Sequence, residues 1–577
     1  MEKYATQPSP AMTQTIQDLL NQDIIRPVTE RTPSFISKLF LRKKSNGTMR
    51  PIFDLRELNK FVKTKHFRLI SHSVVPEFLQ PGDWMIKLDI SQAYFHVPMA
   101  RSHRVFLRIS FQGELYEMTC LPFGLSSAPH IFASVTCWVA ETLRAKGCRV
   151  LVYLDDFLLV HQDHSKLCLQ AAEAVRHLEN LGWIVNYQKS ILTPTQDLEY
   201  LGIRWVTSTN TMALPGDKVS SLNMCLDQYS QMKEIKLRQL QSLLGQLNFA
   251  NFVIPRGRLH CRHLQLFLHQ FDKKRPRQTQ PIPELVHREI TWWRKNTEQS
   301  IPIHIQPASH FMASDASDQG WGAQIDGDLI AGTWSKQQKR WHSNKKELFA
   351  VIAALKKKAN ELRNTHVLIQ SDNRTLISYI RKEGGTRSIA LLDLTFQLLD
   401  LTDRFKITLS AFYLPGRYNI IADRLSRGKQ PAEWHLLPQA TAEVFQKWGH
   451  PEIDLFASQE TAVVPNYVSI DCRDRSANYT DAFSRPWKYQ LAWVFPPPNM
   501  IPRVLMHLNQ AKGTYLIVAP EWPQAFWLQD LKSRCLDHPH EIQNLSECLI
   551  DMTTSLPPPQ VQSLSLKVWK TGGGEKN

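Results

Sequence analysis

Two short apolar runs, residues 151–154 and 157–160, flank the adjacent acids Asp155 and Asp156. The pattern predicts a tight β-hairpin carrying both carboxylates at its turn. Elsewhere the same reading predicts an amphipathic helix over 16–25, a strand over 35–41 and a hairpin turn at Asn46-Gly47. An apolar strand over 85–89 ends in Asp89, and a turn or helix follows at 91–96. Leu237, Leu240, Leu243, Leu244 and Leu247 recur at helical spacing, the mark of a buried helix face rather than a zipper, because the heptads are not sustained. From Ala313 a Gly-rich alternating strand pair runs to about Trp334, followed by a helix over 344–358 and a strand over 367–373 that meets Asp372. After 429, strands such as 515–520 alternate with helices, which predicts a small α/β unit. The fold class is multidomain α+β.

At 577 residues and 43% hydrophobic content, the chain can build several cores. Its formal charge of +16 favours a polyanionic partner. Between Arg31 and Arg68 eleven Lys/Arg stand against Asp54 and Glu57, and a second basic run is Lys273-Lys274-Arg275-Pro276-Arg277. Arg256, Arg258, Arg262 and that run predict a sequence-independent grip on a nucleic-acid backbone. Trp292-Trp293 reads as core. The nine cysteines form no CxxC pair, and His260-Cys261-Arg262-His263 is too compressed for a zinc finger. Free thiols in a reducing compartment are expected. With no apolar run of bilayer length and no secretory leader read, the expectation is a soluble intracellular protein, cytoplasmic or nuclear, without a membrane partner.

Carboxylates set among apolar residues must be paired, protonated or bound to cations. Hard divalent cations take carboxylate oxygens and bridge to phosphates, so Asp155 and Asp156, joined in space by Asp89, suit a two-metal site. The cations Lys43, Lys44 and Arg50 around the predicted finger turn suit the triphosphate of an incoming nucleotide. The small residues of Leu121-Pro122-Phe123-Gly124-Leu125-Ser126-Ser127-Ala128-Pro129 allow a ligand or template to approach the backbone.

In order along the chain, these segments resemble the reverse transcriptases. Tyr153-Leu154-Asp155-Asp156 is similar to their YxDD box. It follows Asp54-Leu55-Arg56-Glu57-Leu58-Asn59, Asp89 and Leu-Pro-Phe-Gly, and precedes Lys189 and Leu198-Glu199-Tyr200-Leu201-Gly202. The resemblance implies a right-hand polymerase of palm, fingers and thumb, with Asp89 and Asp155 binding two Mg²⁺ ions (Mn²⁺ as a substitute) and Asp156 supporting them. It implies Tyr94 as the steric gate against a ribose 2′-hydroxyl, Phe123 beside the nucleotide where retroviral enzymes commonly have Gln, and Lys189 assisting proton transfer. Glu199, Tyr200, Leu201 and Gly202 become the primer grip.

Downstream, Asp315, Glu347, Asp372 and Asp423 resemble the four-acid site of ribonuclease H, which implies a second pair of Mg²⁺ ions. The segment before the last acid, Tyr413-Leu414-Pro415-Gly416-Arg417-Tyr418-Asn419, lacks the His that many such nucleases carry. The tail resembles the methyltransferase-like module of DIRS-like, tyrosine-recombinase retroelements. Phe495 stands before Pro496-Pro497, where active methylases have Asn or Asp, which implies a degenerate module. The expected domains are 1–205 fingers and palm, 206–305 thumb and connection, 306–428 ribonuclease H, 429–570 methyltransferase-like, and 571–577 a disordered end. Expected partners are an RNA template, a DNA primer, an RNA–DNA hybrid, deoxynucleoside triphosphates, and a separate recombinase or integrase. A host-adopted or decayed copy that only binds nucleic acid is the alternative.

Overall fold

The computed structural model describes residues 8–29, 33–43, 49–272, 275, 277–430 and 433–575. These fall into two compact units: residues 1–231, 249–255 and 290–305 in the first, and 232–248, 256–289 and 306–577 in the second.

The first unit opens with helix α1 (Pro10–Asn21), capped by the Ser9 hydroxyl and started by Pro10, so it begins and ends earlier than the 16–25 pattern suggested. Ile25 instead starts a short strand. Strands β1 (Ile36–Lys43) and β2 (Met49–Asp54) pair antiparallel, with Arg42 opposite Arg50. The Asn46-Gly47 turn between them, and Lys44, lie outside the described residues. Next come β3 (Trp84–Asp89), α2 (Ala128–Ala145), β4 (Arg149–Tyr153), β5 (Asp156–His161), α3 (His164–Asn180) and β6 (Ile191–Thr195). The four strands form one sheet in the order β4-β5-β3-β6. Ile86, Leu88, Phe157 and Leu159 pack with α2 and α3 in one core. Side chains alternate along a strand, so Lys87, Asp89 and Asp156 are set on the opposite face. Strands β7 (Asp197–Tyr200), β8 (Ile203–Val206) and β9 (Thr211–Ala213) build a meander.

The expected 206–305 domain is divided between the two units. Helix α4 (Leu237–Ala250) buries Leu237, Leu240, Leu243 and Leu247, while Leu244, expected on the same face, is only half-buried. Strand β10 (Ser300–Pro302) pairs with β9 in the first unit. In the second unit Arg256 is taken up by Asp403 at 2.5 Å and Glu383 at 3.2 Å, and Arg262 donates to the carbonyls of Lys382 and Glu383. These two arginines serve the fold rather than a nucleic-acid backbone, a correction that follows from long-range carboxylates and carbonyls the local charge count cannot show. Trp293 is fully buried and Trp292 partly so.

The second unit holds a sheet ordered β13-β12-β11-β14-β15, from β11 (His310–Ala316), β12 (Gly320–Ile325), β13 (Asp328–Thr333), β14 (His366–Ser371) and β15 (Thr408–Tyr413). Strands β11, β14 and β15 are parallel, and β12 and β13 are antiparallel additions. Helices α5 (Ser343–Lys358), α6 (Arg374–Arg381) and α7 (Ile389–Phe405) share its core, and α8 (Ile420–Ser426) packs on β12. A Cβ at Gly322 would meet Leu425 Cβ at 2.4 Å and Ala422 O at 2.7 Å, so only glycine lets α8 lie that close.

The tail forms a second sheet, β16-β17-β18-β20-β19, from β16 (Ile453–Asp454), β17 (Lys488–Val494), β18 (Lys512–Pro520), β19 (His540–Glu541) and β20 (Leu566–Gly572). Its core buries Trp487, Trp493, Trp569 and Tyr515. It joins the preceding sheet through buried polar links: Asn499 Nδ2 donates to Gln324 Oε1 at 2.8 Å, and Gln370 Nε2 donates to the Asn499 carbonyl at 2.6 Å. Arg424 of α8 pairs with Asp551, which is 1% exposed. Of the disordered end expected over 571–577, residues 576 and 577 lie outside the described residues and the first part is ordered: Thr571 and Gly572 complete β20 opposite Tyr515 and Thr514, and the Gly573 and Gly574 amides donate to Gly513 and Leu508. Strand pairing here overrides the glycine run. Among the described residues no helix is long and apolar enough to cross a membrane.

Candidate active sites

The first cluster of acids is built by register. Asp89 lies opposite Asp156 in the β3–β5 ladder, and Tyr153 lies opposite Asp156 across the hairpin. Only Leu154 and Asp155 make the turn, and Leu154 takes φ of 53°, a left-handed conformation that side chains rarely adopt. The backbone fixes the neighbours: Asp89 N–H donates to Ser190 Oγ at 3.0 Å, and Ile90 N–H donates to the Asp155 carbonyl at 3.1 Å. Burial raises Asp155 and pushes Asp156 up to about 6. Lys87, with Nζ 3.9 Å from Asp156 Oδ1, and the more distant charge of Lys189 act in the opposite direction. Sequence reasoning missed Lys87, although its spacing of two from Asp89 on a strand puts both on one face.

The surrounding residues fall near these acids. Tyr94 packs against Phe123 at 4.7 Å and Phe132 at 5.0 Å. Its hydroxyl is held above the ordinary phenol range by burial and by the charge of Asp155. Phe123, which also meets Phe95 at 5.1 Å, stays 38% exposed. Asn59 fixes the loop that carries it, donating to the Gly124 carbonyl at 2.9 Å and accepting from Ser126 N–H at 2.8 Å. Asn59 thus has a structural task that the charge pattern of its segment did not reveal. Lys43 ends β1 and is exposed, and Arg50 stands in β2.

Glu199 and Tyr200 close β7, and Leu201 and Gly202 form a two-residue turn with φ of 52° and 73°. Positive φ at both central positions is the hairpin-favouring combination. Lys218 donates to the Gly202 carbonyl at 3.1 Å. Buried Tyr200 donates its hydroxyl to the Asp156 carbonyl at 3.2 Å, which ties this turn to the acid hairpin.

The second cluster draws on three separate elements. Asp315 sits in β11, Glu347 on α5 and Asp372 just beyond β14, and one oxygen from each lies within 4.8 Å of the others. Among the described residues it is the one trio of possible metal ligands this tight. Burial, then the charges of Asp315 and Asp372, push Glu347 up to about 9, and burial pushes Asp315 up to about 6. Ser426 donates to Asp315 Oδ2 at 2.6 Å, three residues beyond Asp423 on α8. Asp423 stands off the trio and pairs with Arg427 at 2.8 Å, while its charge still raises Asp315 and Asp372. Three of the four expected acids therefore converge and the fourth borders them. Arg417, in the segment without the His, stacks on Tyr418 at 5.1 Å.

These residues fit a divalent cation. The donors are all carboxylate oxygens, as hard cations require, and Glu347 Oε2 is buried without a hydrogen-bond partner. The first cluster is looser: its three acids do not bring one oxygen each within that span.

Residues 41–205 match the reverse transcriptase (RNA-dependent DNA polymerase) family, and residues 308–397 match the RNase H-like domain found in reverse transcriptase. The two matched segments follow one another in this order along the chain. Among similar proteins, the transposon Tf2-3 polyprotein of Schizosaccharomyces pombe is 25% identical over 448 residues, covering 72% of this chain and 31% of that one. A putative enzymatic polyprotein of cassava vein mosaic virus is 22% identical over 452 residues, covering 72% of this chain and 65% of that one. The chain thus spans about a third of the Tf2 polyprotein's length. The foamy viral protease-reverse transcriptase, solved in complex with double-stranded DNA, aligns at 18% identity with a TM-score of 0.47, over 71% of this chain and 70% of that one.

Proposed function

We propose that this chain is an RNA-directed DNA polymerase with ribonuclease H activity, copying retroelement RNA into DNA and degrading the RNA of the resulting hybrid. One observation carries the reading: each of the two matched segments presents its own set of three carboxylates, Asp89, Asp155 and Asp156 at strand ends and the turn between them, then Asp315 and Asp372 near strand ends with Glu347 on α5. The acids would hold Mg²⁺ (Mn²⁺ as a substitute), which when bound acidifies the attacking hydroxyl or water and offsets charge on the leaving oxygen.

The chain's own residues do the rest. Asp89 and Asp155 fix the primer 3′-hydroxyl side of the site, and Asp156 joins it to the Glu199–Gly202 turn, which would seat the primer end. Lys43, Lys44 and Arg50 would grip the triphosphate of the incoming deoxynucleotide. Tyr94, braced on Phe123, would exclude a 2′-hydroxyl, and Lys189 would hold a proton near the departing pyrophosphate. In the nuclease, Ser426 orients Asp315, and the 2′-hydroxyls lining an A-form minor groove would mark the RNA strand.

We further assign the chain to the DIRS-like group, acting in the cytoplasm or nucleus and dependent on a separate recombinase or integrase. The tail's parallel strands β16, β17 and β18 support a methyltransferase-like origin. Phe495, just past β17, offers no acceptor to a base amino group and so argues for a structural or nucleic-acid-binding role. The test is Mg²⁺-dependent extension of a DNA primer on an RNA template by the full chain beside Asp155→Asn. Extension by the wild type alone is expected. A chain that binds the primer–template and extends nothing would be a decayed or adopted copy.

A further inference from the structure

The tail and the nuclease domain jointly build a groove of 450 Å³ whose walls come from α6, the end of β15 and the tail segment after β18. Its charged lining residues are Arg374, Arg381 and Lys382, all exposed, and none of them pairs with a carboxylate among the described residues. The aromatic part is ordered. Arg374 lies over Tyr413 at 4.7 Å and Arg381 over Phe412 at 4.8 Å, which fixes two guanidinium planes against rings. From the tail, Phe526 stacks on Phe412 at 3.9 Å and remains 37% exposed. Two of its walls follow the nuclease acids in the chain and the sheet: Arg374 is two residues beyond Asp372, and the Leu414 amide, next to Tyr413, donates to the Ser371 carbonyl at 2.9 Å.

We propose that this groove is a nucleic-acid subsite that the tail completes, holding a single-stranded extension of the hybrid strand that runs on from the nuclease acids. The inference deepens the nuclease reading, because that hybrid is the substrate the reading names. Fixed guanidiniums and a lysine suit phosphates, and the partly exposed Phe526 ring among them suits a base. A lining with three cations and no acid selects a polyanion. The tail thereby gains a task that does not need a methylase acceptor at Phe495.

The experiment uses the full chain with EDTA, so that nothing is cleaved, and fluorescein-labelled RNA–DNA hybrids, one blunt and one with a single-stranded extension. Arg381→Ala with Lys382→Ala should weaken binding of the extended hybrid about tenfold, make its salt dependence shallower by about 1.4 in log–log slope, and leave the blunt hybrid unchanged. Phe526→Ala should weaken only the extended hybrid, by about tenfold, and leave the salt slope alone. Trp138→Ala, an exposed aromatic on α2, serves as control and should change neither. Unchanged affinities and slopes in the groove variants would overturn the inference. So would displacement of the extended hybrid by polyglutamate as readily as by a single-stranded oligonucleotide of equal charge. Groove variants that bind normally in a chain that cleaves hybrid with Mg²⁺ overturn the groove alone. A chain that binds through the groove and cleaves nothing keeps the groove and overturns the nuclease reading.

Discussion

In the polymerase cluster Lys87 and Lys189 oppose the burial that raises Asp155 and Asp156, whereas Glu347 in the nuclease cluster is burdened by burial and by two neighbouring acids. The first cluster comes from one hairpin and the adjacent strand, so local register sets it. The second comes from a strand, a helix and a strand end that no single ladder joins, and its acids converge more tightly. A site assembled from distant elements can crowd its carboxylates because the surrounding core holds them in place. The crowding is relieved by a proton on Glu347 or by a bound cation, while the polymerase cluster carries partial compensation within itself.

The largest expected effect breaks this contrast at Glu347. Glu347→Gln should lower hybrid cleavage about 10³-fold while leaving primer extension intact. Because its carboxyl is raised in the folded chain to about 9 from an ordinary 4.5, the fold binds more protons than the unfolded chain between those values. Metal-free stability should therefore fall as pH rises through that window. Glu347→Gln should flatten the decline and raise the melting temperature at pH 8 in EDTA, as read by calorimetry. A Tm in EDTA that does not differ between wild type and variant at pH 8 would show that the carboxyl is not the burden described.

A somewhat smaller effect is expected at the tail. Asp551→Asn leaves the half-enclosed Arg424 without its partner, which should destabilise the second unit by about 3 kcal/mol and shift its unfolding transition while that of the first unit stays in place. Equal shifts in both transitions would contradict the division. The smallest effect sharpens the polymerase side. Tyr200→Phe removes the hydroxyl that reaches the Asp156 carbonyl, a loss of about 1 kcal/mol, so extension should slow about fivefold with cleavage unchanged.

Much of this was legible in the residues because it is local or periodic. A two-residue turn between apolar runs located Asp155 and Asp156 and a strand end located Asp89, while the ladder that joins them pairs segments more than sixty residues apart. Glu347 could be placed on a helix and Asp372 at a strand end for the same reason. What escaped depends on partners distant in sequence. Arg256 looks like any basic residue until Asp403 and Glu383 arrive from the nuclease domain. The glycines after Thr571 suggest disorder until β20 pairs with β18. Asp423, expected among the metal ligands, pairs with Arg427 one helical turn further on, a contact that its own segment leaves unread. The Ser426 hydroxyl on Asp315 had a faint signal in its i+3 spacing from Asp423, and nothing in the sequence reported the Gln324–Asn499–Gln370 link.

The central claim is that one chain carries two independent metal-dependent acid sites. The most direct measurement follows a labelled RNA template and a labelled DNA primer together, with Mg²⁺, in wild type, Asp155→Asn and Asp315→Asn. The expected result is a double dissociation: Asp155→Asn stops extension and still cuts the RNA of a preformed hybrid, while Asp315→Asn extends and does not cut. Loss of both activities in either variant, or a wild type that performs neither, would contradict the account.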